Sequence, residues 1–160
     1  MKLYIMRHGP AEDFSATGRD ADRALTPAGR DRVRDVARAL VEADEAPNVI
    51  LTSPLVRARE TAEIVAATTK LEARGGTLET ARDLAPGADG PSLVRALIRD
   101  HRKRAMIVGH EPDLSALVYK LTAVQVEMLK GMVVGIAASD EGTRLRFVLD
   151  PKSLAWERAQ

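Results

Sequence analysis

Short apolar runs alternate with amphipathic segments along most of the chain. Three continuous runs, residues 3–6, 48–51 and 105–109, have the length and composition of buried strands. Between them, apolar residues recur at intervals of three and four, which predicts helices with one buried face. Strands that alternate with helices predict a parallel sheet with helices packed on both sides.

The predicted helices begin at recognisable sequence signals. Thr26-Pro27 and Ser53-Pro54 each offer a hydroxyl N-cap with proline at the first helical position. A third helix is expected over Ser92–Arg99, and a fourth begins at Pro112. The apolar face of the first helix is marked by Val33, Val36, Ala37, Leu40 and Val41.

The remaining segments complete the expected fold. Residues 10–24 and 86–91 are polar or rich in glycine and proline, which predicts loops. Residues 77–81 are a weak strand candidate. Two further runs, 132–138 and 144–149, flank Asp140-Glu141-Gly142 and predict an antiparallel hairpin. We therefore expect an α/β fold with a mostly parallel central sheet, a C-terminal hairpin and a single domain over residues 1–160.

Composition narrows the functional class. The chain has 160 residues and no cysteine, so disulfides and cysteine catalysis are excluded. The formal net charge is +1, from 24 basic and 23 acidic residues, which argues against a nucleic-acid partner. The apolar run near the N-terminus is too short for the hydrophobic region of a secretory signal, and no apolar run approaches the ~18 residues of a membrane span. We expect a soluble cytoplasmic protein without a membrane partner; the oligomeric state is left open.

Polar residues follow three of the predicted strands. The first ends in Arg7-His8-Gly9, the second in Thr52-Ser53-Pro54 with Arg57 just beyond, and a later strand in Gly109-His110-Glu111. Ligands of open α/β sheets bind beyond the carboxyl ends of the strands. If these ends converge, one pocket contains two histidines and two arginines.

This combination suits the chemistry of a phosphoryl group. Arginine binds phosphate oxygens in a bidentate manner, and the helix N-termini at Pro54 and Pro112 add positive potential. A neutral His8 can attack phosphorus, and nearby arginines favour its neutral form. Arg7, Arg57, His110 and Gly9 are the candidate phosphate-binding residues. No metal and no cofactor is required, and activity is expected to fall as His8 is protonated.

A leaving alkoxide also needs a general acid. Asp83 is a candidate because it follows the weak strand and precedes the loop at 86–91, which places it near the same edge. Glu12 and Asp13 are alternatives. A solvated loop aspartate accounts for Asp83 equally well at this point.

The chain resembles the histidine phosphatase (phosphoglycerate mutase-like) superfamily over roughly residues 1–120. Members are marked by an Arg-His-Gly strand end, a Ser-Pro-x-x-Arg-Ala-x-x-Thr segment and a Gly-His strand end. The corresponding segments here are residues 7–9, 53–61 and 109–110, and residues 25–29 also resemble the family's helix start. Within the superfamily the resemblance is greatest to SixA-like phosphohistidine phosphatases, through Met-Arg-His-Gly, Gly-His-Glu-Pro and the similar length.

The resemblance implies a three-layer α/β/α sandwich and a set of roles. By this likeness His8 is the phosphorylated nucleophile, Arg7 and Arg57 bind phosphate, and His110 supports the transfer. Asp83 is the residue near the stretch where larger members carry a glutamate acid.

Three functions are compatible with these residues. The first is a metal-independent phosphatase acting on phosphohistidine in a protein, such as a histidine phosphotransfer domain. Only the loops at 10–24 and 82–91 can overhang the pocket, and an open site suits a phosphate carried by a protein. The second is a phosphomonoesterase or mutase acting on a small phosphate ester. The third is a non-catalytic phosphate-binding module.

Overall fold

The computed structural model describes residues 1–160, which form one seven-stranded sheet and four α-helices. The strands are Lys2–Arg7 (β1), Val49–Thr52 (β2), Thr77–Thr80 (β3), Arg104–Gly109 (β4), Val133–Ser139 (β5), Gly142–Leu149 (β6) and Trp156–Arg158 (β7). The α-helices are Pro27–Glu42 (α1), Val56–Thr68 (α2), Gly90–Arg99 (α3) and Asp113–Thr122 (α4). Short 3-10 turns cover Asp20–Asp22, Glu72–Arg74 and Arg82–Leu84.

The sheet has a parallel half and an antiparallel half. Its strand order is β3-β2-β4-β1-β5-β6-β7. The first four strands in this order are parallel, and β5, β6 and β7 pair in antiparallel fashion. The expected parallel sheet with an antiparallel C-terminal hairpin is confirmed, and the order puts β1 in the middle of the sheet.

Helices cover both faces of the sheet. Side chains alternate along a strand, so Tyr4 and Met6 of β1 face one side while Leu3 and Ile5 face the other. The first side packs against α1 and α2 and the second against α3 and α4. The fold is therefore the expected three-layer sandwich, and its two cores share the strands that carry the site.

Element boundaries differ from the sequence-based expectation at several points. The expected start of α2 at Ser53 is wrong: the helix begins at Val56, because the Ser53 hydroxyl bonds to a histidine side chain. Helix α3 begins at Gly90 instead of Ser92, since Asp89 acts as the N-cap and accepts a hydrogen bond from the Ser92 N–H. Strand β7, with three residues, was not expected.

Other predicted features are confirmed. The Thr26 hydroxyl caps α1 by accepting a hydrogen bond from the Gly29 N–H. The weak strand candidate is β3, an exposed strand at the edge of the sheet. No helix has both the length and the apolar character that crossing a membrane requires.

Candidate active site

The two strand-end histidines lie side by side. Strands β1 and β4 are parallel neighbours, and their register pairs Arg7 with Gly109. His8 and His110, the next residue after each strand, therefore leave the sheet at the same point. The ring centroids of His8 and His110 are 5.2 Å apart, with 51° between the ring planes. Both side chains are buried, at 6% and 4% exposure. The sheet register thus creates the pair.

The hydrogen bond of His8 fixes which ring nitrogen carries a proton. Its Nδ1 lies 2.7 Å from the Gly9 carbonyl oxygen, which can only accept, so Nδ1–H is the donor. The lone pair of the neutral ring is therefore on Nε2. Burial is the main cause that lowers the pKa of His8 to about 3. The hydrogen bond to the Gly9 carbonyl raises this pKa, and the charges of His110, Arg57 and Arg7 lower it further. His8 is a neutral imidazole at physiological pH.

His110 has the same tautomer. Its Nε2 lies 2.7 Å from the Ser53 Oγ, and that oxygen already accepts a hydrogen bond from the Leu55 N–H. His110 Nε2 is the only acceptor within reach of the buried Ser53 hydroxyl proton, so the hydroxyl donates to Nε2, and in the neutral ring Nδ1 carries the hydrogen. Burial, followed by the charge of Arg57, lowers the pKa of His110 to about 4. The His110 Nδ1–H is buried and has no partner.

Two arginines complete the pocket, each held by its terminal nitrogens. Arg57, in the first turn of α2, donates from Nη1 to the Asp20 carbonyl at 3.0 Å and from Nη2 to the Asp20 carboxylate at 3.2 Å. Arg7 donates from Nη1 to the Met128 carbonyl at 2.9 Å. Burial, more than the charge of Arg57, lowers the pKa of Arg7.

The pocket contains every buried side-chain polar atom that lacks a hydrogen-bond partner. These atoms are Arg7 Nε, Arg57 Nε and His110 Nδ1, and in the assigned tautomer all three are N–H donors. Buried donors are nearly always satisfied in folded proteins, so three unsatisfied donors around His8 indicate an acceptor-rich ligand. An anion with several oxygens fits this requirement.

Gly9 links the histidine to the helices behind it. Its N–H donates to the Thr61 Oγ1 at 3.0 Å, and the same hydroxyl donates to the Arg57 carbonyl at 2.7 Å. A Cβ on Gly9 would lie 2.7 Å from a methyl group of Val33 on α1. Glycine is thus required here because α1 approaches closely. The role of Gly9 in phosphate binding stays a prediction.

The N-termini of α2 and α4 contribute less free positive potential than expected. The Leu55 N–H, at the start of α2, is taken by Ser53. At the start of α4, the Glu111 carboxylate accepts the Ser115 N–H at 2.8 Å and also accepts the Ser115 hydroxyl. Side chains are therefore the main unsatisfied donors of the site.

The candidate acids differ in position. Asp83 lies in the 3-10 turn after β3, is exposed, makes no hydrogen bond with its carboxylate, and lines a cavity that His110 also lines. Glu12 and Asp13 are exposed in the loop at 10–24. Asp83 is thus the one of the three that lines a cavity together with His110. No group of three or more His, Asp or Glu side chains is arranged to hold a metal ion.

Comparison with known proteins gives the family. The family model described as histidine phosphatase superfamily (branch 1) matches residues 3–88, more than half of the chain. The chain belongs to the histidine phosphatase superfamily. A curated relative, an uncharacterized protein of Picosynechococcus sp., is 34% identical over 143 residues, which cover 85% of this chain and 84% of that protein. Members of the superfamily are phosphatases, and this is the broad activity that the match supports.

Solved structures show the histidine phosphatase fold as well. The protein histidine phosphatase SixA complexed with tungstate has a TM-score of 0.87 and 24% identity, with coverage of 97% of this chain and 100% of that chain. The alpha-ribazole phosphatase from Shigella flexneri has a TM-score of 0.69 and 18% identity, with coverage of 94% and 97%. The fold is thus similar to phosphatases with different substrates.

Sequence reasoning missed several residues of this histidine phosphatase site. Ser53 and Thr61 stand in the family segment that was recognised, and their hydroxyls at fixed spacing from Arg57 were the available signal. Asp20 lies in a polar loop where no pattern distinguishes it from its neighbours. The Met128 carbonyl is a backbone atom, which leaves no trace in the side-chain sequence.

Proposed function

We propose that this protein is a phosphatase that uses His8 as the nucleophile and forms a phosphohistidine intermediate. The observation that carries this proposal is the hydrogen bond from Nδ1–H of His8 to the Gly9 carbonyl. That bond directs the lone pair of a neutral imidazole, on Nε2, away from the backbone and toward the pocket. A group that only bound phosphate electrostatically would be more effective as a cation, whereas a nucleophile must be neutral.

The three unsatisfied donors are assigned to the phosphoryl oxygens. Arg7 Nε–H, Arg57 Nε–H and His110 Nδ1–H would each donate to an oxygen of the transferring group. Donors placed before the reaction stabilise the charge that develops on these oxygens without reorganising. We assign Gly9 to the same phosphate pocket through its position beside His8.

The substrate that we propose is phosphohistidine in a protein, such as a histidine phosphotransfer domain. The likeness to the protein histidine phosphatase SixA supports this choice. So does Asp83, the candidate acid that lines a cavity with His110, because its carboxylate is exposed and makes no hydrogen bond. An imidazole that leaves in protonated, neutral form needs little help from an acid, whereas an alkoxide needs a strong one.

The two chemical steps balance without a metal or cofactor. In the first step, the lone pair on His8 Nε2 forms a bond to phosphorus while the bond from phosphorus to the substrate nitrogen breaks. The substrate imidazole keeps the proton on its other nitrogen and leaves as a neutral ring. In the second step, water attacks phosphorus, the bond to Nε2 breaks, and inorganic phosphate leaves with the water protons shared between it and the medium.

A small phosphate ester is the second candidate substrate. The alpha-ribazole phosphatase shares this fold, and Asp83 lies on the wall of a cavity next to His110. For such a substrate we assign Asp83 as the general acid that protonates the leaving oxygen. The third candidate, a non-catalytic module, has less support because a site for binding alone does not require a neutral, oriented imidazole.

A direct comparison of substrates tests the proposal. We would measure kcat/KM for a phosphohistidine protein and for a panel of sugar phosphates, nucleotides and aryl phosphates, with His8→Ala as the inactive control. The expected result is a higher kcat/KM for the phosphohistidine protein and no activity in the variant. A metabolite with the higher value would replace the leading substrate by the second one.

Trapping the intermediate separates an enzyme from a binding module. Brief mixing with ³²P-labelled substrate followed by denaturation should give an acid-labile, alkali-stable label on the wild-type chain and none on His8→Ala. If no label forms and the variant is as active as the wild type, the protein is not a histidine-nucleophile phosphatase.

A further inference from the structure

A cavity of about 180 Å³ lies next to the phosphoryl site on the side of α3 and α4. The turn after β3 and the first turn of α3 form one wall, and α4 forms the other. His110 is one of the lining residues, which places the cavity beside the proposed phosphoryl site. Most of the lining is apolar, with contributions from Leu84, Ala85, Pro91, Leu114, Ala116 and Leu117.

The charges around the cavity exclude the phosphoryl group itself. Asp83 and Asp113 both line it, and Lys120 is its one cationic lining residue. The Asp113 carboxylate accepts the Gly87 N–H at 2.7 Å, which holds the loop over the cavity. Two carboxylates against one ammonium group disfavour phosphate or a second acidic group of the ligand. The occupant is therefore the part of the substrate that does not carry the phosphate.

The size and lining determine what kind of group fits. A dry apolar cavity of about 150 Å³ accommodates a benzene-sized molecule. The present cavity therefore has room for one leucine or phenylalanine side chain. Because His110 lines the cavity, a side chain bound there must be attached close to the phosphorylated residue.

We propose that this cavity, lined by Leu84, Ala116 and Leu117 beside His110, receives an apolar side chain that neighbours the phosphohistidine on the partner protein. The inference rests on the proposed function and adds a specificity determinant to it. Side chains three or four residues apart on a helix are neighbours at a few ångströms, so one substrate helix can present both groups. Burial of one such side chain strengthens binding by about tenfold or more.

Peptides provide the probe. The set is a helical alanine-based phosphohistidine peptide and four variants with one leucine, placed three or four residues before or after the phosphohistidine. We expect at least one leucine peptide to have a KM about tenfold below that of the all-alanine parent. Ala116→Phe fills the cavity from α4 and should abolish that difference. It should leave the hydrolysis of phosphoramidate, whose leaving group is ammonia, unchanged.

The control variant is Ala67→Phe, which makes the same change at an exposed alanine near the far end of α2. It should retain the leucine preference. Equal KM values across the peptide set, or a preference that survives Ala116→Phe, would overturn the proposal. If Ala116→Phe impairs only phenyl phosphate, the cavity holds the leaving group of a small ester and the proposal is equally wrong.

The outcomes separate this inference from the function on which it rests. Hydrolysis of every phosphohistidine peptide without a leucine preference contradicts the cavity assignment alone. Hydrolysis of none of them by the wild-type protein contradicts the proposed phosphohistidine activity. A variant that loses phosphoramidate hydrolysis as well as peptide hydrolysis has damaged the phosphoryl site, which also contradicts a separate subsite.

Discussion

Two buried polar clusters lie at opposite ends of β1, and only one of them has hydrogen-bond partners for all of its buried polar atoms. At the amino end, Tyr4 donates to the Glu45 carboxylate at 2.6 Å, and Arg146 and Lys2 pair with the same carboxylate. At the carboxyl end, beyond Arg7, three donors are buried without partners. The first cluster is complete within the chain, whereas the second needs an acceptor from outside.

The ionisation of the two clusters follows from their contents. Although burial acts in the opposite direction, hydrogen bonds from Arg146 and Tyr4 lower the pKa of Glu45 to about 2. Around His8, burial and neighbouring positive charge act together and keep the ring neutral. One cluster contains a charge that is fully compensated, and the other contains cations and neutral rings with no central anion. Unsatisfied donors, more than burial or charge alone, distinguish the site from the structural cluster.

Glu45→Gln should have the largest effect on stability and leave catalysis unchanged. Removing one partner of a buried ion pair leaves the other uncompensated, which costs about 3 kcal/mol. For a chain of this size that corresponds to a fall in Tm of roughly 6–12 °C. Differential scanning calorimetry and kcat/KM at 25 °C provide the two readouts. Glu42→Gln, at an exposed position of α1, is the matched control. A large loss of activity in the folded Glu45 variant would contradict the view that the Glu45 cluster is structural and separate from the candidate site.

Acid should destabilise the protein through the histidine cluster first. The unfolded chain binds protons at the ordinary pKa of histidine, about 6.5, while folded His8 and His110 stay neutral to about 3 and 4. The unfolded state therefore binds more protons below pH 6.5, and stability falls with pH. Between pH 7 and pH 5 each histidine contributes a loss of up to about 2 kcal/mol.

Chemical denaturation at pH 7 and pH 5 measures this loss, and His8→Asn should show about half of it. Glu45 acts in a lower window: its stabilising contribution is present above its unfolded pKa of 4.5 and is lost as pH falls toward about 2. Equal pH dependence in wild type and His8→Asn would show that the ring is not held neutral.

Ser53→Ala tests the tautomer of His110. Without the hydroxyl, nothing directs the ring proton to Nδ1, and kcat/KM should fall by about tenfold, the value of one hydrogen bond to a reacting group. The ¹⁵N chemical shifts of the His110 ring distinguish the two tautomers directly, with exposed His101 as the internal reference. A slower enzyme whose His110 shifts are unchanged would indicate that Ser53 acts in another way.

Asp20→Asn should have the smallest effect of these variants, and the direction in which it changes inhibition by inorganic phosphate is informative. The carboxylate is hydrogen-bonded to Arg57 and therefore offsets part of the charge available to a phosphate. The amide keeps an acceptor oxygen but loses the charge, so inhibition by inorganic phosphate should strengthen by about fivefold, roughly 1 kcal/mol. Asp22→Asn is the control, since that carboxylate pairs with Arg19 in the same loop. Weaker inhibition in Asp20→Asn would mean that the charge positions Arg57.

Much of the sheet and the grouping of the candidate site residues could be predicted from the sequence for a physical reason. Buried strands and helix faces have periodic patterns, and a residue at the end of a strand has a defined place in a parallel sheet. This was enough to bring His8, His110 and Arg57 together. Ser53 shows the limit, because a hydroxyl before a proline can cap a helix or bond to a side chain that arrives from a distant strand.

Loop and backbone contributions could not be predicted in the same way. Asp20 binds Arg57 because a 3-10 turn points it toward α2, and the local sequence does not encode that direction. The Met128 carbonyl depends on the path of a segment without regular structure. The alternation of strands and helices along the chain was predictable, but β7 has only three residues and is too short to show a hydrophobic pattern.

The position of β1 between β4 and β5 has a consequence for the order of assembly. During synthesis, β1 finds its first sheet partner only when residues 104–109 have been made. Pairing of such distant segments slows folding. While about a hundred residues are added after His8, the growing chain therefore lacks His110, and the candidate site forms only as the sheet closes around β1.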